Sequence, residues 1–431
     1  MIDAIRSRAA TYAGDRFFYG WAIVGIAAIM MFSSGPGQSY TFSVFLDPIS
    51  LDLGISHTTI ATAYAFATFA AAFLLPRTGV LLDRFGPRKA LILAACLLGV
   101  ACMFFGAASN FLWLAAGFAA LRFMGQGATM MCTANLVSQW FSRRRGFAMS
   151  LMALGFAASM AIHPPLGSYL IEQYGWRTAW VILGVLTWLV MLPPIVLLAY
   201  DKPEAIGLTL DGDDEVSGQT SSSEPAADSG NGLTLPEAKQ QRAFYLLCAV
   251  WFIIGGLVTV LHFFQVSILG DRGFSSQDAA QLFTISAITM VVTMPLIGRL
   301  FDAVRSRYVI AAALTFNALA LICITLVSSY ASAVLYAVIF GATNAFMMTM
   351  FGYIWPRYFG RTHLGSIQGM GQMFGVVGAS IAPVPVGYAI DTFNSASGVL
   401  RGLSVIELAM AVAVVMLLRT PPGVDVPAGL E

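Results

Sequence analysis

Charged side chains are rare in this sequence, and the few inside long apolar stretches are the ones that could do chemistry. Arg122 lies about halfway along the apolar stretch 110–140. A guanidinium buried there could hold a carboxylate through two parallel hydrogen bonds. Its own helix offers no acidic residue one turn away, so its partner must be a substrate carboxylate, a backbone carbonyl or an acid on another helix. We expect a substrate contact or a coupling role, with structural pairing inside the N-terminal half as the alternative.

Two histidines and one glutamate are the candidates for carrying a coupled proton. His163 and His262 lie in the outer thirds of their apolar stretches, and histidine titrates near neutral pH. Gln265 follows His262 by three residues and therefore lies on the same helix face. Glu407 is an acid near the middle of the last stretch, where a structural role close to lipid competes with proton transfer. A structural role competes for both histidines as well, and Pro164–Pro165 could interrupt the helix after His163.

Uncharged polar residues at membrane depth are candidate substrate contacts or interhelical hydrogen bonds. The first apolar stretch contains Ser33-Ser34-Gly35-Pro36-Gly37-Gln38-Ser39-Tyr40. Proline and glycine in mid-span loosen a helix and free backbone groups, and such interrupted helices line cavities. The full set of expected substrate contacts is Arg122, Gln38, Tyr40, His262, Gln265, Asn344, Tyr353 and Gln372.

Twelve apolar stretches would position these side chains. The chain has 431 residues, of which 58% are hydrophobic and 10% are charged. Soluble domains carry about 25% charged residues, so the composition indicates a polytopic membrane protein. Roughly 20 apolar residues cross a bilayer as a helix. The predicted spans are 18–46, 57–82, 88–108, 110–140, 145–170, 176–199, 242–268, 275–301, 306–326, 330–359, 364–390 and 397–418.

Lysine and arginine near the span ends predict the orientation in the membrane. Most of these cations fall on the side that also holds both termini, and the opposite side holds Arg177, Arg272 and Arg401. We therefore expect both termini in the cytoplasm and a multi-pass protein of the plasma membrane, the inner membrane of a bacterial cell. Residues 1–200 and 242–431 are the expected six-helix halves. Residues 201–241 are expected to form a partly disordered cytoplasmic linker, because 211–232 is acidic and rich in serine and glycine.

A similar charged turn follows the second and the eighth span. The copies read Gly79-Val-Leu-Leu-Asp83-Arg84-Phe-Gly86-Pro-Arg88-Lys89 and Gly298-Arg-Leu-Phe-Asp302-Ala-Val-Arg305-Ser-Arg307. The repeat indicates two homologous halves, an architecture that moves solutes by rocking one half against the other. Asp83 ends its helix, where the helix dipole disfavours an anion, so it needs outside support. The expected gating residues are Gly79, Asp83, Arg84, Arg88, Asp302, Arg305 and Arg77, with a purely topological role as the alternative.

These motifs resemble the major facilitator superfamily over nearly the whole chain. The turn from Gly79 to Lys89 is similar to the loop 2–3 signature of that family, and Asp302 with the following arginines is similar to its weaker copy in loop 8–9. The resemblance implies an all-α membrane protein of twelve transmembrane helices in two pseudo-symmetric six-helix halves. It also implies that Asp83 meets the start of span eleven, near His363 to Ser366, when the cytoplasmic side is closed.

Two further motifs look like the monocarboxylate and oxalate/formate porter branch of the superfamily. They are Tyr19-Gly20-Trp21 at the start of span one and Trp140-Phe141-Ser-Arg143-Arg144-Arg145-Gly146 before span five. Members of that branch commonly hold the substrate carboxylate with a basic residue in span eight or eleven. Here 284–296 and 371–390 contain neither lysine nor arginine.

The leading expectation is a secondary active transporter of a small organic anion, a monocarboxylate above all, coupled to protons or working by exchange. The alternative is a proton-driven exporter of drugs or other hydrophobic compounds, which would use Glu407. A receptor that moves no solute would need an output domain that 201–241 does not supply. The net charge of +1 argues against nucleic acid as a partner. The five cysteines lie in apolar spans without metal-ligand spacing, so we expect no metal and no cofactor. We expect a monomer in the lipid bilayer without enzymatic activity, with an organic anion and a proton as its partners.

Overall fold

A computed structural model describes residues 18–141, 145–209, 233–360 and 364–419, and the regular structure in these ranges is helical. Two short 3-10 turns, Gly35–Gly37 and Pro203–Ile206, and a π-helical segment, Arg122–Thr129, accompany the α-helices. The α-helices are α1 Gly20–Ser33, α2 Ser39–Phe42, α3 Leu46–Leu53, α4 His57–Phe85, α5 Pro87–Gly106, α6 Phe111–Leu121, α7 Met130–Trp140, α8 Arg145–Leu198, α9 Leu235–Ala238, α10 Arg242–Gly270, α11 Ser276–Ala303, α12 Ser306–Leu326, α13 Tyr330–Phe359, α14 Leu364–Ile381, α15 Pro383–Phe393 and α16 Ser397–Leu417.

The described parts of the predicted spans are largely helical. In the described part of the chain, 8 helices are long and apolar enough to cross a membrane. One of these stretches, Phe147–Leu198 of α8, consists of two helices that meet at Gly175, where φ is 76° and ψ is 160°, and the two correspond to predicted spans five and six. Spans one and four consist of shorter pieces, since the turn Gly35–Gly37 interrupts the first and the π-helical segment interrupts the fourth.

The chain divides into two compact units, and the first comprises residues 18–55 and 66–209 of the described ranges. Aromatic side chains of α2, α5, α6 and α8 fill one end of its core. The ring centroids of Phe105 and Trp180 are 4.7 Å apart, and those of Phe42 and Phe118 are 4.9 Å apart. Such edge-on and tilted pairs add to the free energy gained from apolar burial.

At the other end of the first unit, the two motifs of the porter branch pack against each other. The ring centroids of Trp21 and Phe141 are 4.8 Å apart, and those of Tyr19 and Trp140 are 5.9 Å apart. Trp140 Nε1 also donates a hydrogen bond to the Tyr200 carbonyl at 3.1 Å. These motifs therefore hold the start of α1 against the ends of α7 and α8.

The second unit comprises residues 56–65 and 233–419 of the described ranges. Glycine permits the close approach of α10 and α14, because a Cβ on Gly378 would lie 2.0 Å from the Phe252 carbonyl oxygen. The first turn of α4 belongs to this unit, where the Asp391 carboxylate accepts hydrogen bonds from the backbone N–H groups of His57 and Thr58 at 3.0 and 2.7 Å. A carboxylate at a helix N-terminus satisfies N–H groups that have no partner within the helix.

The predicted boundaries of the two halves, at residues 200 and 242, stay predictions. Residues 210–232 of the expected linker lie outside the described residues.

Candidate functional site

The polar cluster of the first unit is built on the interruption between α1 and α2. After the 3-10 turn Gly35–Gly37, Gln38 has an extended backbone, with φ −99° and ψ 147°, before α2 begins. Pro36 has no N–H group, so the helical hydrogen-bond pattern cannot continue through the turn. The Thr41 hydroxyl donates to the Gly35 carbonyl at 2.6 Å. Gln38 Nε2 donates to the Ser34 hydroxyl at 3.3 Å.

The π-helical segment of the fourth span lies directly against this turn. A Cβ on Gly125 would lie 2.7 Å from the Cα of Gly37 and 3.1 Å from the Ser34 carbonyl oxygen. Only glycine leaves room for two backbones to approach this closely. Single π-helical turns are frequent at functional sites because they add a residue and redirect the side chains around it.

The close approach brings the Arg122 side chain to the interrupted helix. Arg122 Nη1 donates to the Gly37 carbonyl at 3.1 Å and to the Ser39 hydroxyl at 3.3 Å. The Arg122 side chain is 4% exposed, so the guanidinium is largely removed from water. A carbonyl, one of the three partners that the sequence left open, is thus among its acceptors. Both of these acceptors are neutral, and a guanidinium offers five N–H donors in a planar fork that matches a carboxylate.

Buried side chains of α2 and α8 lie beside the same interruption. The Tyr40 ring packs edge-on against Phe156 of α8, with ring centroids 5.6 Å apart. Ser159 Oγ is 3.0 Å from His163 Nδ1, and the Ser159 carbonyl oxygen is 3.1 Å from the same nitrogen. The first unit therefore holds a cation and an imidazole against the same 3-10 turn, because Arg122 bonds to Gly37 and the His163 ring lies against Gly35.

The helix that carries His163 continues through Pro164–Pro165, so the expected interruption there is wrong. Membrane helices tolerate proline where neighbouring helices and side chains compensate for the lost hydrogen bond. Here α8 packs against α1 and the 3-10 turn. The His163 ring lies 5.0 Å from the Phe32 ring, and a Cβ on Gly35 would lie 2.4 Å from His163 Nδ1.

In the second unit, two predicted site residues contact Phe340. The His262 and Phe340 ring centroids are 4.9 Å apart and edge-on, and Asn344 Nδ2 donates to the Phe340 carbonyl at 2.9 Å. Gln265 lies one turn further along α10, but its amide nitrogen and its amide oxygen each bond to a neighbouring helix. Gln265 Nε2 donates to the Ala279 carbonyl at 3.0 Å, and the Tyr336 hydroxyl donates to Gln265 Oε1 at 2.9 Å. These contacts favour interhelical bonding for Gln265.

The remaining expected substrate contacts lie elsewhere in the second unit. Tyr353 stacks on Phe301 with a centroid distance of 5.1 Å, beside the end of α11. Arg357 Nη1 donates to the Phe301 carbonyl at 2.7 Å. Gln372 is exposed on α14. No contact described for either Tyr353 or Gln372 joins it to His262.

Glu407 is fully buried between α16 and α12, in the second unit. Asn317 Nδ2 donates to both carboxyl oxygens of Glu407, at 2.9 and 3.1 Å. Asn317 Oδ1 is also buried and has no hydrogen-bond partner among the described residues. The contact favours a role for Glu407 in holding these two helices together.

Among the predicted gating residues, Arg88 and Arg305 have described side chains. Arg88 Nη2 donates to the Val196 carbonyl at 2.9 Å, and the Arg88 backbone N–H donates to Asp201 Oδ1 at 2.7 Å. These bonds join α5 to the end of α8 inside the first unit. Arg305 is exposed just before α12. The surroundings of Gly79, Arg77, Asp83 and Arg84 in α4, and the side chain of Asp302 in α11, lie outside the described residues.

Five side chains in these contacts were not among the candidates chosen from the sequence: Ser39, Ser159, Asp201, Asn317 and Tyr336. Ser159 precedes His163 by four residues, which places both on one helix face and could have indicated the pair. Asn317 and Glu407 are 90 residues apart, so no local spacing could have indicated their contact.

Comparison with known families identifies the class of protein that this fold and site define. The model of the Major Facilitator Superfamily matches residues 21–383 and 263–430. The chain belongs to the Major Facilitator Superfamily, a superfamily of membrane transporters, and the fold class expected from the sequence is confirmed. A solved structure agrees: a bacterial homolog of the human lysosomal transporter Spinster, inward-facing and unoccupied, aligns with a TM-score of 0.62 and 17% identity, covering 93% of this chain and 94% of that chain.

Three relatives confirm the resemblance to the monocarboxylate and oxalate/formate branch. Human monocarboxylate transporter 2 is 26% identical over 345 residues, 75% of this chain and 69% of the relative. A probable sulfoacetate transporter of Cupriavidus necator is 25% identical over 389 residues, 86% of this chain and 88% of the relative. The oxalate:formate antiporter of Oxalobacter formigenes is 26% identical over 187 residues, 43% of this chain and 42% of the relative, so that match spans less than half of either protein.

Proposed function

We propose that this protein is a secondary active transporter that moves a small organic anion, first of all a monocarboxylate, across a membrane by alternating access. The observation that carries the proposal is the buried Arg122 guanidinium, which donates to two neutral oxygens at an interrupted helix. The names of the three relatives support the same chemistry, because monocarboxylates, oxalate, formate and sulfoacetate all carry a carboxylate.

The geometry suggests how a carboxylate would be held. The planar guanidinium of Arg122 would donate to one or both carboxylate oxygens, and such charge-assisted bonds are roughly twice as strong as neutral ones. The neighbouring Tyr40 hydroxyl could donate to the same anion. Because the site is buried, both interactions would gain from the low local dielectric.

Transport is proposed to be coupled to a proton or to work by exchange. The drug-exporter alternative is supported less well by the structure. A cationic drug would need a carboxylate to pair with, whereas both carboxyl oxygens of Glu407 already accept from the Asn317 amide between α12 and α16.

The proposal includes a monomer in the cell inner membrane with both termini in the cytoplasm. The support for this orientation is the excess of lysine and arginine on one side of the predicted spans. Accessibility of a cysteine placed before residue 18 to an impermeant thiol reagent would test it. Labelling of that cysteine in intact cells would contradict the orientation.

Uptake of radiolabelled lactate into proteoliposomes tests the proposed function. Removing one partner of a buried charge pair costs about 2–5 kcal/mol, so Arg122→Gln should lower the initial rate at low lactate by at least about 30-fold. Arg122→Lys should recover little of it, because an ammonium cannot reproduce the planar fork. The matched control is Arg401→Gln: that exposed arginine donates to the Thr325 hydroxyl at 3.1 Å, and its loss should leave uptake unchanged.

Two outcomes would contradict the proposal. One is wild-type uptake of lactate, oxalate and sulfoacetate by Arg122→Gln. The other is export of a lipophilic cation that depends on Glu407 in a protein that takes up no carboxylate.

A further inference from the structure

We propose that His163 is the proton-binding group that couples proton movement to the anion held at Arg122. The inference rests on the proposed function and names its coupling residue. Three observations in the first unit carry it. The buried Arg122 guanidinium donates to the Gly37 carbonyl of the 3-10 turn, and the His163 ring lies against Gly35 of the same turn. The Ser159 hydroxyl is 3.0 Å from His163 Nδ1.

The coupling follows from repulsion between like charges. When the anion site is empty, the positive charge of Arg122 opposes a second positive charge on His163, because both lie in one buried cluster. A bound carboxylate neutralises Arg122 and removes that repulsion. Binding of the anion therefore favours binding of the proton, and by thermodynamic reciprocity the proton favours the anion by the same factor.

The hydrogen bonds around His163 can accommodate both states of the imidazole. The Ser159 carbonyl oxygen, 3.1 Å from Nδ1, can accept from a protonated Nδ1. The Ser159 hydroxyl can donate to Nδ1 when the nitrogen is unprotonated, and it can rotate to accept when the nitrogen carries a proton. The orientation of the Ser159 hydroxyl can therefore change with the charge on the imidazole.

The described elements that pack against α8 bring few other titratable groups toward His163. Helix α1 and the 3-10 turn carry none, α2 carries Tyr40 and α7 carries Cys132. The π-helical segment, which packs against the 3-10 turn, carries Arg122. The titratable groups of α5 that have described contacts with α8 face its second half, as the bond from Arg88 to the Val196 carbonyl shows. The titratable groups of α5 are Arg88, Lys89, Cys96 and Cys102, and those of α8 itself are Arg145, His163, Tyr169, Glu172, Tyr174 and Arg177.

The other two coupling candidates have their described contacts within the second unit. Glu407 lies in the second unit and bonds to Asn317, between helices that contain no residue of the Arg122 cluster. The described ring contacts of His262 are with Phe340 and Phe283, also in the second unit.

Calorimetric titration of the purified protein with lactate tests the inference. Titrations in phosphate and in Tris buffer give the number of protons taken up with each anion, because the two buffers differ in ionisation enthalpy. The wild type should take up close to one proton per lactate between the pH at which His163 titrates in the empty protein and the higher pH at which it titrates with the anion bound. There its Kd for lactate should rise about tenfold per pH unit.

His163→Gln should still bind lactate, with proton uptake near zero and a Kd that changes less than about twofold per pH unit. The matched control, Glu407→Gln, should keep the wild-type proton uptake. Ser159→Ala is a second test that retains the imidazole, and it should shift the pH at which Kd begins to rise. Proton uptake that persists in folded His163→Gln would overturn the inference. If His163→Gln does not fold, an unshifted pH dependence in Ser159→Ala would overturn it.

The failure of the proposed function would look different. In that case the wild type itself would bind neither lactate, oxalate nor sulfoacetate. Wild-type lactate binding without proton uptake at any pH would leave the carrier intact and reject the role of His163.

Discussion

Substitution of Gly125 by alanine perturbs the contact on which the candidate anion site depends. The added Cβ would lie 2.7 Å from the Cα of Gly37, whereas ordinary van der Waals contact begins at 3.4 Å. The difference, 3.4 − 2.7 = 0.7 Å, has to come from separation of two backbones, since no flexible side chain lies between them. Such overpacking typically lowers the free energy of unfolding by about 1–3 kcal/mol.

The same shift should weaken anion binding. The bond from Arg122 Nη1 to the Gly37 carbonyl is 3.1 Å long, so a 0.7 Å separation along it would place the atoms beyond hydrogen-bonding distance. Binding sites need their groups held within about 0.5 Å. We therefore expect Gly125→Ala to weaken lactate binding by about tenfold and to lower the unfolding midpoint by about 4–8 °C, which corresponds to about 2 kcal/mol for a unit of this size.

Thermal unfolding followed with a thiol-reactive dye measures the change in the unfolding midpoint, because Cys102 and Cys132 of the same unit are buried in the folded protein. Gly25→Ala is the matched control: a Cβ on Gly25 has nothing within 4 Å, so only the gain in helix propensity remains. An unfolding midpoint and lactate affinity of Gly125→Ala that match those of Gly25→Ala would refute this reasoning.

Substitutions at three further positions separate structural contacts from the anion site. Glu407→Gln should leave the unfolding midpoint unchanged, because the glutamine amide can keep a bond to Asn317. Glu407→Leu should lower the free energy of unfolding by about 1–3 kcal/mol, because the Asn317 amide would be buried without a partner. Equal midpoints for the two variants in the dye assay would contradict this. Asp201→Ala should lower the free energy of unfolding by about 1 kcal/mol, because the first turn of α5 loses the carboxylate that accepts from the Arg88 N–H. Asp201→Asn should recover most of this loss. An unchanged midpoint for Asp201→Ala would contradict the capping role of Asp201. Trp140→Phe should lower the free energy of unfolding by about 1 kcal/mol, because the hydrogen bond to the Tyr200 carbonyl is lost. Lactate affinity measured by calorimetry should stay at the wild-type value. A changed affinity would show that the aromatic cluster acts on the anion site.

The sequence was sufficient to predict the fold because the physics of spanning a bilayer is local. A helix that crosses hydrocarbon satisfies its own backbone groups, so each apolar stretch predicts a helix without reference to its neighbours. The interruption of span one was predictable as well, since Pro36 lacks the N–H group that a continuous helix needs. The π-helical segment from Arg122 was not predicted, because it arises where the backbone of span four meets Gly37 of span one.

The sequence was sufficient to choose Arg122 as a site residue, but it could not predict the groups to which Arg122 bonds. A guanidinium far from the span ends marks a functional or paired position wherever it occurs, so Arg122 could be chosen from one helix alone. Its bonds to Gly37 and Ser39 depend on how span four packs against span one. For the same reason, the sequence could not show whether Gln265 and Glu407 contact a substrate or join two helices. Their interhelical partners, Tyr336 and Asn317, are distant in sequence, and nothing local separates a substrate contact from an interhelical bond.

The central claim is that Arg122 recognises the charge of a carboxylate, and the most direct test compares lactate with lactamide, its neutral amide, on the same protein. Calorimetry should show that the wild type binds lactate at least about 30-fold more tightly than lactamide, as expected for a buried charge-assisted pair. In Arg122→Gln this preference should shrink to within about threefold, because the group that distinguishes the two ligands is gone. A preference for lactate that is as large in Arg122→Gln as in the wild type would contradict the account.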